Sequence, residues 1–166
     1  MSVGGEIETR EGTLRVGSTL LAVEYPTSTV QIFRYSAATW NTHRIHYDKD
    51  YAVAEGYPDV LVQSHLHGAF LARYCTDWAG ASGRLLELGL RIRRFAIAGE
   101  ALTVLGTVTA VQRRKDAPAV VALELNETRG SDGEVCATGT ARIEIPADWL
   151  ASDATDGPGQ PRRTTT

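Results

Sequence analysis

At 166 residues, with 43% hydrophobic and 22% charged residues, the chain has the length of one domain with a real core. It is too short for two well-built enzyme domains and too apolar for extensive disorder. The formal net charge of −3 argues against a nucleic-acid-binding surface. Arg113, Arg114 and Lys115 cluster, but Asp116 follows at once, and such a run reads as a solvated turn.

Residues 1–10 carry Glu6, Glu8 and Gly4-Gly5 rather than a basic start and an apolar run, so no export signal is expected. No stretch approaches the ~20 apolar residues that cross a bilayer. A cytoplasmic protein is expected, with Cys75 and Cys136 as reduced core thiols rather than a disulfide.

Between Thr27 and Trp40, Val30, Phe33, Ala37 and Trp40 recur near a helical period, with Thr27 or Ser28 as cap. The β-branched Thr29, Val30 and Ile32 leave open a strand that enters a helix. "NTHRIHYD" then leaves as a polar loop, "DKDYAVA" forms one short turn and "EGYPD" breaks it. "VLVQ" reads as a brief buried strand.

In "SHLHGAFLARYCTDWAG", Leu66, Phe70, Tyr74 and Trp78 fall at four-residue intervals, with Leu71 and Cys75 in a neighbouring row. This predicts a buried helix capped by Ser64 and stopped by Gly80. Its small Gly68, Ala69 and Ala72 admit another backbone closely.

From there the period becomes two. "RLLELGLRIRRF" opens a sheet, and Val104, Gly106, Val108 and Ala110 alternate with polar or exposed positions. "APAVVALELN" adds a strand, "RGSDG" turns, and "EVCATGTARIEIP" alternates again, with Cys136 on the outward row. The fold class expected is α+β, a curved antiparallel sheet wrapped around one apolar helix. An ordinary α+β sandwich stays open. An exposed end strand favours pairing with a second subunit. A single domain spans residues 1–150, and residues 151–166 form a disordered tail.

His46 is the acid–base candidate, since imidazole exchanges a proton near neutral pH. Asn41, five positions earlier, can hold a water but cannot act as a carboxylate base. The free N–H groups around Ser64, His65 and Leu66 can receive charge developing on a carbonyl oxygen. The bland reading of the His–Asn pair is a loop hydrogen-bond device buttressed by Arg44 and Tyr47. His43, His46, His65 and His67 invite a metal, but no compact carboxylate or cysteine set accompanies them, so none is expected. There is no phosphate-cradling loop and no "GxSxG" elbow, and Cys75 falls inside the apolar helix.

"FRYSAATWNTHRIHYDKDYAVAEGYPDVLV" resembles the catalytic region of MaoC-like hot-dog hydratases and dehydratases. The branch is that of mesaconyl-CoA hydratase-like proteins and mitochondrial 3-hydroxyacyl-thioester dehydratases. The likeness is strong from Phe33 to Val62 and extends to Arg142, while Met1 to Leu21 add little. The family's aspartate and the histidine five residues later match Asn41 and His46, and asparagine is common in this branch. The family's "HGP" becomes "QSHL", with Ser64 in the glycine place and His65 in the proline place.

The resemblance implies a hot-dog fold and reversible hydration of an α,β-unsaturated acyl thioester, carried by coenzyme A or an acyl carrier protein. His46 and Asn41 are then catalytic, Arg44, Tyr47, Ser64, His65 and Leu66 face substrate, and no metal or redox cofactor is required. A homodimer, or a heterodimer with another hot-dog protein, rebuilds the family's paired units. A hot-dog thioesterase and a silent, pocket-shaping partner are the rival readings.

Overall fold

A computed structural model describes residues 6–9, 12–114 and 117–145. Three short strands come first: β1 (Glu6–Thr9), β2 (Gly12–Arg15) and β3 (Val23–Pro26). Helix α1 (Thr29–Thr39), a 3-10 turn (Arg44–His46), α2 (Lys49–Ala54) and the long α3 (Ser64–Ala79) follow. The chain then forms β4 (Arg84–Ile92), β5 (Ala101–Arg114), β6 (Ala117–Arg129) and β7 (Val135–Ile145). The main sheet is antiparallel in the order β3-β5-β6-β7-β4, and β1 pairs separately with β2.

The core lies between α3 and one face of this sheet. Leu66, Phe70, Leu71, Tyr74 and Cys75 meet Leu102, Val104, Val108, Leu123, Leu125, Ala141 and Ile143, all buried. Each large side chain removed from water contributes about 1.5–3 kcal/mol, which makes this contact the main source of stability. A bulge between Val108 and Ala110 turns the inward row over, so Val111 is buried in place of Ala110.

The helix lies close to the sheet because both surfaces lack bulk where they meet. A Cβ on Gly139 would stand 2.7 Å from the Gly89 carbonyl and 3.0 Å from a Leu71 methyl. One on Gly68 would stand 3.1 Å from Leu90. Of the small residues expected to admit a neighbour, Gly68 admits β4.

Several expectations change. Strands precede the helices, because residues 12–26 carry no clear alternation and are recruited by pairing with β5 and by the β1–β2 register. "VLVQ" is not a strand: it makes a single bridge, Leu61 to Ile97, on a short crossing segment. Gln63, not Ser64, caps α3, and it makes no side-chain capping bond. "NTHRIHYD" contains a 3-10 turn rather than open loop.

On α1 the helix and its Ser28 cap are as expected, but the buried face is the other one: Ile32 and Ser36 are inside. Val30, Phe33 and Trp40 are 64%, 58% and 84% exposed. The reason is Gln63, whose buried amide donates to Ile32 O and Ser36 Oγ and pins that face inward.

Cys136 is buried despite its outward register, because residues 93–95 fold over it: Arg93 N donates to its carbonyl and its thiol approaches Phe95 O. Both cysteines are free. Burial pushes the Cys75 thiol up to about 12 and Cys136 up to about 11, which leaves both as unreactive thiols at neutral pH. Among the described residues no helix is long and apolar enough to cross a membrane. Lys115, Asp116 and the tail at 151–166 lie outside the described residues.

Candidate active site

The 3-10 turn exists because both of its ends are capped locally. His43 Nδ1 accepts from Ile45 N at 3.4 Å, and Tyr47 N donates to Arg44 O at 3.0 Å, after which Asp48 starts α2 by accepting from Tyr51 N at 3.0 Å. Between these caps His46 turns inward and is only 9% exposed. Its Nδ1 lies 2.9 Å from the carbonyl oxygen of Leu61, fifteen residues away. Leu61 N returns a bond to Ile45 O at 2.9 Å. The crossing segment is held on its other side by Val62 N to Ala96 O and Ala98 N to Val60 O, at 2.9 and 3.0 Å.

A carbonyl oxygen can only accept, so His46 Nδ1 carries the hydrogen and Nε2 keeps the lone pair. Burial lowers the affinity of His46 for a second proton; the Leu61 bond opposes this, and nearby His43 adds to it. The net direction is below the ordinary histidine value, so the ring is neutral at pH 7. A neutral imidazole with a free Nε2 can take a proton.

His46 lines a cleft of about 410 Å³ with Thr29, Val30, Phe33, Tyr47 and Val60. At its rim Lys49 and Asp59 pair at 2.6 Å, and Lys49 pulls the Asp59 carboxyl below the usual range. Of the apolar row on α1 that was expected in the core, Val30 and Phe33 therefore form a wall of this cleft. No hydropathy pattern distinguishes the two roles.

Asn41 follows Trp40, which ends α1 in the left-handed region at φ 56°. Asn41 N donates to Ser36 O at 2.9 Å, and its Oδ1 accepts from His43 N at 3.2 Å. That leaves the side-chain NH₂ as its available donor. Asn41 lines a second hollow of about 190 Å³ with Phe33, Ala37, Trp40, Thr42 and Tyr47. The two hollows share Phe33 and Tyr47, so within one chain Asn41 and His46 line neighbouring hollows. Tyr47 is held there by its hydroxyl, which donates to Thr42 O at 2.8 Å.

Ser64 and His65 are exposed in the first turn of α3, where helix geometry gives their N–H groups no intrahelical acceptor. Leu66 differs: it is buried and its N–H donates to Gln63 O at 2.9 Å, so it is not a free donor. Arg44 bonds Asp48 through Nε at 3.0 Å and lies over the Tyr51 ring. The two buttress α2, and Arg44 lines neither hollow. Ser64 and His65 line neither hollow as well. Among the described residues no three His, Cys, Asp or Glu side chains gather as metal ligands.

Sequence reasoning missed Leu61, whose backbone oxygen selects the His46 tautomer, since a carbonyl leaves no side-chain signal. It also passed over Gln63, although a lone amide closing an apolar run was the available hint.

Residues 5–96 match the family model of hydroxyacyl-thioester dehydratase type 2. The 3-oxo-4,17-pregnadiene-20-carboxyl-CoA hydratase beta subunit of Mycobacterium tuberculosis is 39% identical over 74 residues, 45% of this chain and 57% of that one. Mesaconyl-C(4)-CoA hydratase of Chloroflexus aurantiacus is 52% identical over 42 residues, 25% of this chain and 14% of that one. Each match takes in less than two thirds of the relative's length. The solved structure of the R-hydratase PhaJ1 from Pseudomonas aeruginosa superposes with a TM-score of 0.72 at 19% identity, covering 96% of this chain and 99% of that one. The curved sheet around α3 is the hot-dog fold.

Proposed function

The chain belongs to the hydroxyacyl-thioester dehydratase type 2 family, and we propose that it adds water to, or removes it from, the α,β-double bond of an acyl thioester. The observation that carries this reading is the His46–Leu61 contact, which leaves Nε2 as a neutral base lining an open cleft. In hydration, Nε2 takes a proton from water as the water oxygen bonds to Cβ. The double-bond pair moves toward the thioester carbonyl, whose oxygen gains charge, and Cα then receives the proton that Nε2 took, which returns His46 to its neutral form. Dehydration runs the same steps in reverse.

Ser64 and His65 N–H groups receive the oxygen's charge, aided by the positive end of α3. Asn41 holds the water through its NH₂, and Tyr47 forms the shared wall. Arg44 holds the start of α2 through Asp48 instead of binding substrate directly. The acyl carrier is coenzyme A or an acyl carrier protein, and residues 1–150 act as one hot-dog unit.

A second hot-dog subunit, identical or related, completes the acyl pocket. Two facts support this: β4 is an edge strand with Leu86, Leu90 and Ile92 exposed, and one relative is named as a beta subunit. Incubation of the pure chain with crotonyl-CoA tests the reaction. Loss of enone absorbance without thiol release is expected. Thiol release would instead assign a thioesterase, and no change in either signal counts against hydration of this substrate by the chain alone.

A further inference from the structure

Behind the first turn of α3 an ionisable pair lies in the apolar core. His67 Nδ1 contacts Glu127 Oε1 of β6, and the side chains are 2% and 0% exposed. Glu127 sits on a strand interior, opposite Val104 of β5 and Ala137 of β7. Its second oxygen, Oε2, has no hydrogen-bond partner among the described residues.

Stability does not explain this pair. Apolar side chains of similar volume hold a helix to a sheet at least as well as a buried polar pair, and a buried oxygen without a partner adds cost. Leu66, Phe70 and Leu71 already make that apolar attachment. What a hydrogen bond adds is direction, since it weakens steeply when its angle is lost.

The direction falls on the residues the reaction needs. Four residues before His67, Gln63 is tied by its Nε2 to Ile32 O and Ser36 Oγ, each at 2.8 Å. Ser64 and His65 lie between these two buried attachments, one to α1 and one to β6. Leu61, two residues before Gln63, holds His46, and Ser36 O holds Asn41 N. Residues 61–67 thus connect the base, the helix-end amides and the Asn41 turn.

We propose that His67 and Glu127 are positioning residues whose hydrogen bond fixes the roll of α3 about its axis, and so the aim of the Ser64 and His65 amides at the thioester oxygen. The proposal rests on the hydratase reading for what those amides face.

The test compares wild type with H67L/E127L, which replaces the pair by apolar side chains, and with E127Q, which keeps an acceptor for Nδ1–H. Thermal unfolding, kcat and KM on crotonyl-CoA, and the amide NMR resonances of Ser64 and His65 are measured. The double variant is expected to unfold no earlier than wild type, yet to lose about tenfold or more in kcat with a smaller change in KM. Its Ser64 and His65 resonances move while those of Gln112 and Val120, at the far end of the β5–β6 pair, stay. E127Q stays near wild type in kcat and in both resonances.

A folded double variant with wild-type kcat and unmoved Ser64 and His65 resonances overturns the proposal. Should the double variant not fold, E127A takes its place, and equal kcat in E127A and E127Q overturns it. Should wild type leave crotonyl-CoA unchanged, the hydratase reading fails for that substrate, and the resonances alone decide the positioning role.

Discussion

Replacing His46 by alanine separates chemistry from folding, because its two effects differ in size and can be read apart. The substitution removes the Nδ1 bond to Leu61 O and leaves that carbonyl without its partner. The stability cost is about 1–3 kcal/mol, against a domain stability of about 5–15 kcal/mol. The crossing segment keeps its bonds to Ile45 O, Ala96 O and Ala98 N, so the variant stays folded. The catalytic loss is larger. A positioned base contributes about 10²–10⁴ in rate, or about 2.7–5.4 kcal/mol of transition-state stabilisation. Hydration of crotonyl-CoA is followed by enone absorbance, with circular dichroism and a thermal melt on the same sample. H46A is expected to melt a few degrees lower and to fall at least about a hundredfold in kcat/KM. A folded H46A with wild-type turnover refutes the assignment of the base.

The acid limb of the rate profile should lie below the ordinary histidine value, since the neutral ring is the active form and burial depresses its protonation. Because the native state then binds fewer protons than the unfolded chain, the contribution of His46 to stability is full above about pH 6.5 and is lost as pH falls through the depressed native value. His43→Ala removes a neighbour that also lowers His46, so the acid limb moves up; an unmoved limb counts against that coupling. Asn41→Leu should slow hydration far more than Asn41→Asp, which keeps the acceptor for His43 N but exchanges the NH₂ for a titratable oxygen. Equal rates for N41L and wild type remove the water-holding role. Leu86→Lys on the β4 edge should shift sedimentation equilibrium toward monomer, and a compact, active wild-type monomer at assay concentration removes the need for a second subunit. Gly139→Ala should cost about 1–3 kcal/mol in urea unfolding, because its Cβ meets the Gly89 carbonyl, and an unchanged midpoint contradicts that close approach.

Periodicity made most of the architecture legible. The four-residue spacing of Leu66, Phe70 and Tyr74 specified a buried helix, and the alternations along β5 and β7 specified a one-faced sheet, because those intervals decide which side chains share a face. The short strands before α1 were not legible, since four residues carry too few alternations and β3 is defined by the bonds it makes to β5. On α1 the period was right and the face wrong. An apolar row that lines a cleft has the same pattern as one that lines a core, and the choice was made by a buried amide at Gln63, 27 residues from Ser36.

The same division runs through the site. Residue types and spacing alone place an acid–base side chain five residues after an amide, in a segment that resembles a hydratase motif, with a helix that carries small residues near its start after it. Packing settled the rest: which His46 nitrogen keeps its lone pair, which amides of α3 stay free, and that Asn41 and His46 line neighbouring hollows that share Phe33 and Tyr47. It also decided that His67 and Glu127, sixty residues apart, meet in the core. The physical reason is that local periodicity fixes faces, whereas a proton's location depends on a backbone carbonyl and on burial. Both arise only when distant segments pack together.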